Sequence, residues 1–210
     1  TLSRSEDDSG AFTVQNPIDL SVNRGPSNFD RKHNLVISHV TPFPFGRRGR
    51  YLREGIAGSV LGGWSVSGVF AARSGTPVDI IGVRLPANAT QGVTNRPDVV
   101  GDPTILGGTG RGELWFDTSA FAEPAPGTFG NARRNSNVRG PGYVNYNMTV
   151  SRTFRLTGSR RLLVNASAFN VTNTTHYRNP SGSFTTASTF GRITSSFGER
   201  QIRFGGRFTF

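Results

Sequence analysis

The stretch Arg200-Gln201-Ile202-Arg203-Phe204-Gly205-Gly206-Arg207-Phe208-Thr209-Phe210 closes the chain and decides the fold. Ile202, Phe204, Gly206, Phe208 and Phe210 hold the even positions, with Gln201, Arg203, Gly205, Arg207 and Thr209 between them. Successive side chains on a strand point to opposite faces, so the stretch makes one apolar face and one cationic face. A run of about 10 residues is also what a tilted strand needs to cross a bilayer. A one-residue slip would turn Arg203 and Arg207 toward the apolar phase, at roughly 2–4 kcal/mol per arginine near a bilayer midplane. The register is therefore strongly specified. The same period of two also suits an edge strand of a soluble sandwich, so the choice rests on the rest of the chain.

The 210 residues are 34% hydrophobic, with 27 Gly, 12 Pro and 16 Phe. Low apolar content with many aromatics suits a structure that is polar on one face and in long loops better than a packed globular core. No apolar run reaches the roughly 18 residues of a transmembrane helix, which leaves strand-based membrane crossing open. With 0 Cys, disulfides and thiolate metal sites are excluded. The first residues, Thr1-Leu2-Ser3-Arg4-Ser5-Glu6-Asp7-Asp8, lack the apolar centre of a signal peptide.

The net charge of +11 invites a nucleic-acid reading. Against it, the arginines are spread along the chain and several alternate with apolar residues. The densest cluster, Gly46-Arg47-Arg48-Gly49-Arg50, lacks the aromatic interleaving of a base-stacking platform.

Residues 1–30 read as a loop-like segment, with turn chemistry at Asp7-Asp8-Ser9-Gly10 and Arg24-Gly25-Pro26-Ser27-Asn28. From 31 to 210 five strands are expected. The first runs from His33 to Thr41 and ends at Pro42-Phe43-Pro44. A small apolar patch, Ile56 to Leu61, is either a helical turn or the approach to the second strand, Trp64 to Arg73. That strand is expected to extend past Ser74-Gly75-Thr76-Pro77 into Val78–Val83, if it extends at all. Residues 84–142, crowded with Gly, Pro, Asn and Asp, read as a long loop. Val144, Tyr146, Met148, Val150, Phe154 and Leu156 share one face of the third strand, interrupted by Arg152. After the turn at Thr157-Gly158-Ser159-Arg160, the fourth strand sets Leu162, Val164, Ala166 and Ala168 against Leu163, Asn165, Ser167 and Phe169. A polar loop, 173–199, with a strand piece expected at Phe190–Phe197, leads to the closing strand.

Short and long connections alternate, as they do in a barrel with short turns at one rim and long loops at the other. Five strands cannot close a barrel, since single-chain bacterial barrels start at about eight. The expected fold is all-β: antiparallel strands from the carboxy-terminal part of a large transmembrane β-barrel, with long extracellular loops, short periplasmic turns and its upstream strands missing.

Several stretches carry a resemblance. They are Phe29-Asp30-Arg31-Lys32-His33, Leu61-Gly62-Gly63-Trp64, Ser74-Gly75-Thr76-Pro77, Asn95-Arg96-Pro97-Asp98-Val99-Val100-Gly101-Asp102-Pro103 and Trp115-Phe116-Asp117-Thr118-Ser119-Ala120-Phe121. Gly127-Thr128-Phe129-Gly130-Asn131, Arg139-Gly140-Pro141-Gly142, Phe169-Asn170-Val171-Thr172-Asn173 and Phe190-Gly191-Arg192-Ile193-Thr194-Ser195 complete the set. In this order they resemble the carboxy-terminal barrel of TonB-dependent outer-membrane receptors of the Oar-like group. The resemblance implies residence in the outer membrane of a Gram-negative-type cell, contact with outer-membrane lipid, and substrate binding or uptake powered by the TonB system through parts outside this chain. It also implies that the terminal strand, through Ile202, Phe204, Phe208 and Phe210, is recognised by the barrel-assembly machinery.

Catalytic chemistry finds no support in the sequence, and no cofactor is expected. His33, His39 and His176 lack metal-ligand spacing. Gly107-Gly108-Thr109-Gly110-Arg111-Gly112 has the glycines of a phosphate cradle without its Gly-Lys-Ser/Thr ending. Asp98, Asp102 and Asp117 could surround a cation, although turns select Asp in any case. Trp64, Tyr143 and Tyr146, with Phe208 and Phe210, are candidates for an aromatic girdle at a membrane interface. Arg152 on the apolar face should lie near a rim and reach out of the lipid. Two alternatives stay open from the residues alone: a soluble β-sandwich binding module and a basic nucleic-acid binder.

Overall fold

In the computed structural model, residues 5–7, 14–16, 19–46, 49–83, 95–135 and 138–210 are described. Asp8-Ser9-Gly10 of the first expected turn, Arg47-Arg48 of the arginine cluster and residues 84–94 of the long segment lie outside them.

Five long strands form one sheet: β1 (Asn34–Pro42), β2 (Trp64–Arg73), β3 (Tyr143–Arg155), β4 (Arg161–Phe169) and β5 (Gln201–Thr209). Their spatial order is β5-β4-β3-β2-β1, and β4 pairs antiparallel with both β3 and β5. β2 and β5 have the two-residue alternation that suits a sheet wetted differently on its two faces. The β3–β4 hairpin turns where Gly158 adopts a φ of 71°, and Leu156 N–H donates to Arg160 O at 2.9 Å. Between β1 and β2, Gly55–Leu61 forms a short helix, α1, so the helical alternative holds for the apolar patch. It stops at Gly62-Gly63, where Gly63 has a φ of 77°.

The chain divides into two compact units. One comprises Leu35–Ala72, Val144–Thr175 and Gly198–Phe210, and holds the sheet and α1. The other comprises Thr1–Asn34, Arg73–Tyr143 and His176–Phe197.

The strand expected beyond Ser74 does not form. β2 stops at Arg73, and only Pro77–Val78 regains pairing, with Val138–Arg139. The reason is the close approach at Gly75, where a Cβ would lie 1.8 Å from the Gly140 carbonyl oxygen. The described part of 84–142 is likewise more ordered than a loop. Asp98–Val99 pairs with Phe121–Ala122, and the Asp117 side chain caps the turn Thr118–Ala120 by accepting from Ser119 N–H. Of the strand piece expected at Phe190–Phe197 only Ser196–Phe197 is strand, paired with His176–Tyr177. A small core of Val78, Ile80, Phe116, Ala120, Phe121, Val138 and Phe190 binds these pieces together. The rings of Phe116, Phe121 and Phe190 meet edge to face at 5.5–5.9 Å.

Candidate membrane-facing surface and ligand pocket

The register builds two continuous faces. Ile202, Phe204, Gly206 and Phe208 of β5 pair with Ala168, Ala166, Val164 and Leu162 of β4. Those in turn pair with Met148, Val150, Arg152 and Phe154 of β3. The opposite face carries Gln201, Arg203, Gly205, Arg207 and Thr209 alongside Phe169, Ser167, Asn165, Leu163 and Arg161. Small hydroxyls bridge that face: Thr149 Oγ1 meets Ser167 Oγ at 2.9 Å, and Ser65 Oγ meets Ser151 Oγ at 3.1 Å. The Arg203 guanidinium sits 5.2 Å above the Phe169 ring.

On the apolar face Phe204 is 84% and Phe208 53% exposed, and Ile202 is also exposed. Phe210 follows β5, with its ring 6.2 Å from that of Phe208. These terminal residues share one surface, while the aromatic candidates separate. Trp64 opens β2 and donates from Nε1 to Val60 O at 3.0 Å. Tyr146 reaches across Gly68, its hydroxyl 2.8 Å from His39 Nε2, and so links β3 to β1 over the strand between them. Tyr143 belongs to another cluster, its ring tilted against His176 at 4.4 Å and stacked on Phe197 at 6.3 Å. His176 is buried there with Nε2 unbonded, and its burial holds its pKa below the ordinary value. Arg152 leaves the apolar face through its tip, donating to Ser59 O and Val60 O at 2.6 Å each.

Two carboxylate–guanidinium pairs fasten the other unit. Asp30 pairs with Arg139, which also donates to Gly75 O at 3.2 Å, while Asp30 Oδ1 accepts from Ser5 N–H at 2.9 Å. Burial works to raise the Asp30 pKa, but the Arg139 and Ser5 hydrogen bonds and the charges of Arg139 and Lys32 outweigh it, so it lies below the ordinary value. Asp79 pairs with the fully buried Arg96 at 2.9 Å. There burial prevails, raising the Asp79 carboxyl and lowering the Arg96 guanidinium. Trp115 Nε1 adds a bond to Arg139 O at 2.8 Å. Asp30, Arg96, Trp115 and Arg139 all stand within the resembling stretches, yet their mutual pairing had no local signal in the sequence.

Near this core lies a cavity of about 660 Å³, lined by Leu114, Thr118, Glu123, Phe184, Phe190 and Arg192 among others. Its size is that of a small-ligand pocket, apolar with two charged groups. The glycine run is already filled: Glu113 Oε2 accepts from Thr109 N–H at 3.0 Å and Gly110 N–H at 2.8 Å. Asp98 accepts from Asn131 N–H at 2.9 Å, and among the described residues no group of three or more His, Cys, Asp or Glu could hold a metal ion.

Among the described residues of its unit the five-stranded sheet has no second sheet over either face, and its apolar side is exposed. Such a sheet defines a class: the wall of a membrane barrel, with lipid on one side and water on the other. Among the described residues no helix is long and apolar enough to cross a membrane, and in this class strands do so. The sequence profile described as outer membrane beta barrel domain matches residues 1–203, and the chain belongs to that family. It is a protein of the outer membrane of a Gram-negative-type bacterium. Searches of curated proteins and of solved structures each gave no match. The two soluble readings left open by the residues give way to the barrel.

Proposed function

We propose that this chain is the carboxy-terminal barrel portion of a TonB-dependent receptor of the Oar-like group, which binds a substrate or passes it across the outer membrane. The observation that supports this reading is the second compact unit, which is folded from the long segments outside the sheet and has its own small core. A barrel that served only as a membrane plug would not need a core, two ion pairs and a 660 Å³ cavity in those segments. Substrate would first be held by that unit. The TonB system would supply energy through parts outside this chain, and the barrel-assembly machinery would take the strand ending in Phe208 and Phe210. Cross-linking in intact cells tests the proposal. The natural full-length protein is expected to yield an adduct with TonB, and no adduct at normal outer-membrane abundance would refute the TonB reading.

A further inference from the structure

The connection between β1 and β2 exposes more apolar surface than a turn requires. Ile56 is 85% and Val60 58% exposed, with Tyr51, Leu52 and Leu61 also open. On α1, Ile56 and Val60 are four residues apart, as are Ala57 and Leu61, so they form one stripe with Ser59 to its other side. Contiguous exposed stripes of this kind mark contact with a partner or a membrane.

The stripe is held firmly against the sheet. Arg152 and Trp64 both donate to carbonyls of the last helical turn, which satisfies groups that a helix end otherwise leaves to water. The Arg152 charge also complements the negative end of the helix dipole. Its guanidinium lies 4.3 Å from the Phe154 ring centroid. At the helix end, a Cβ on Gly46 would come within 2.5 Å of Gly62 Cα, so backbone seats directly on backbone. Arg152 and Phe154 belong to the apolar face of the sheet, so α1 is tied to the face that meets lipid. Beside the stripe, the exposed Arg50 sits 5.6 Å from the Tyr51 ring centroid, and Arg53 is also exposed.

We infer that α1 is an interfacial anchor. Its apolar stripe enters the acyl region of the phospholipid leaflet at the short-connection rim, and Arg50 and Arg53 lie at the level of the lipid phosphates. An apolar stripe flanked by arginines, a tyrosine and a tryptophan is the chemistry of segments that lie in a bilayer interface. The inference rests on outer-membrane residence and is independent of the transport proposal.

The chain has 0 Cys, so single nitroxides can be placed cleanly. Ile56→Cys, Val60→Cys, Ser59→Cys and Arg53→Cys would be labelled in the natural full-length protein, with any cysteine elsewhere removed. The protein would be reconstituted in vesicles of phosphatidylethanolamine and phosphatidylglycerol. At 56 and 60, collisions with dissolved oxygen are expected to exceed those with a water-soluble nickel chelate several-fold. At 59 the order should reverse, and at 53 the depth should match the phosphates. Free collision with nickel at 56 and 60 would overturn the inference. Screening of both positions from both reagents would also overturn it, because protein would then cover the stripe.

Discussion

Gly75→Ala is expected to be among the most damaging single-methyl additions in this chain. The new Cβ would stand 1.8 Å from Gly140 O, 2.6 Å from Gly140 C and 3.0 Å from Pro141 O, all backbone atoms that cannot swing aside. Reaching even 3.0 Å from the nearest oxygen requires the two segments to part by roughly 1.2 Å. That displacement breaks the bond from Gly140 N–H to Thr76 O, now 2.9 Å, and the 3.2 Å bond from Arg139 to Gly75 O. Two lost hydrogen bonds at about 0.5–1.5 kcal/mol each, plus about 1–3 kcal/mol of overpacking, give about 4 kcal/mol. At about 1.4 kcal/mol per tenfold, this corresponds to nearly a thousandfold faster exchange of amides protected by the same core. Hydrogen exchange of the natural full-length protein in micelles reads this at Trp115 N–H, bonded to Gly191 O, and at Ala132 N–H, bonded to Pro97 O. Gly101→Ala is the control, because its Cβ would meet nothing closer than 3.6 Å and should change exchange little. Equal exchange in the two variants would refute the packing argument.

Three further outcomes follow from the same geometry. Asp30 has a lowered carboxyl pKa, so the stability it supplies is present above the unfolded value of 3.8 and is lost as pH falls through the lower folded value. Asp30→Asn should flatten that acid limb and destabilise the unit by up to about 3–5 kcal/mol, read by unfolding at pH 3 and pH 7. His176 is held neutral by burial, so its contribution is complete above 6.5 and is lost as pH falls through its folded pKa. Its imidazole resonances should titrate below 6.5, and His176→Phe should remove that pH dependence. Phe204→Arg would put a charge on the lipid face at a cost of roughly 2–4 kcal/mol near the midplane, whereas Arg203→Gln should be mild. Outer-membrane abundance of the two variants, measured by immunoblot, should differ in that order.

The closing strand and β2 were legible because their residues keep a period of two, and β2 begins at Trp64 and ends at Arg73 as its alternation predicts. Arg152 was legible too: an arginine among apolar partners must find polar company, and it does so on α1. The other unit was illegible for a physical reason. Its paired pieces are two residues long, too short for any period, and its fasteners join distant positions such as Asp30 and Arg139, 109 residues apart. His176 looks isolated in the chain because the rings that enclose it, Tyr143 and Phe197, come from 33 residues before and 21 after. The glycine run showed its backbone freedom, but not that Glu113 would occupy its amides.

Phe190 comes from the later of the two segments that build the small core, and it touches both Phe116 and Phe121. Until synthesis has delivered that residue, the earlier two phenylalanines have no lid, and their surroundings gain little by ordering. The order of maturation is thereby written into the thread: the core can set only after the segment that carries residue 190 is in place. A truncation before residue 190 should thus leave a soft, protease-sensitive end on the strands already laid down.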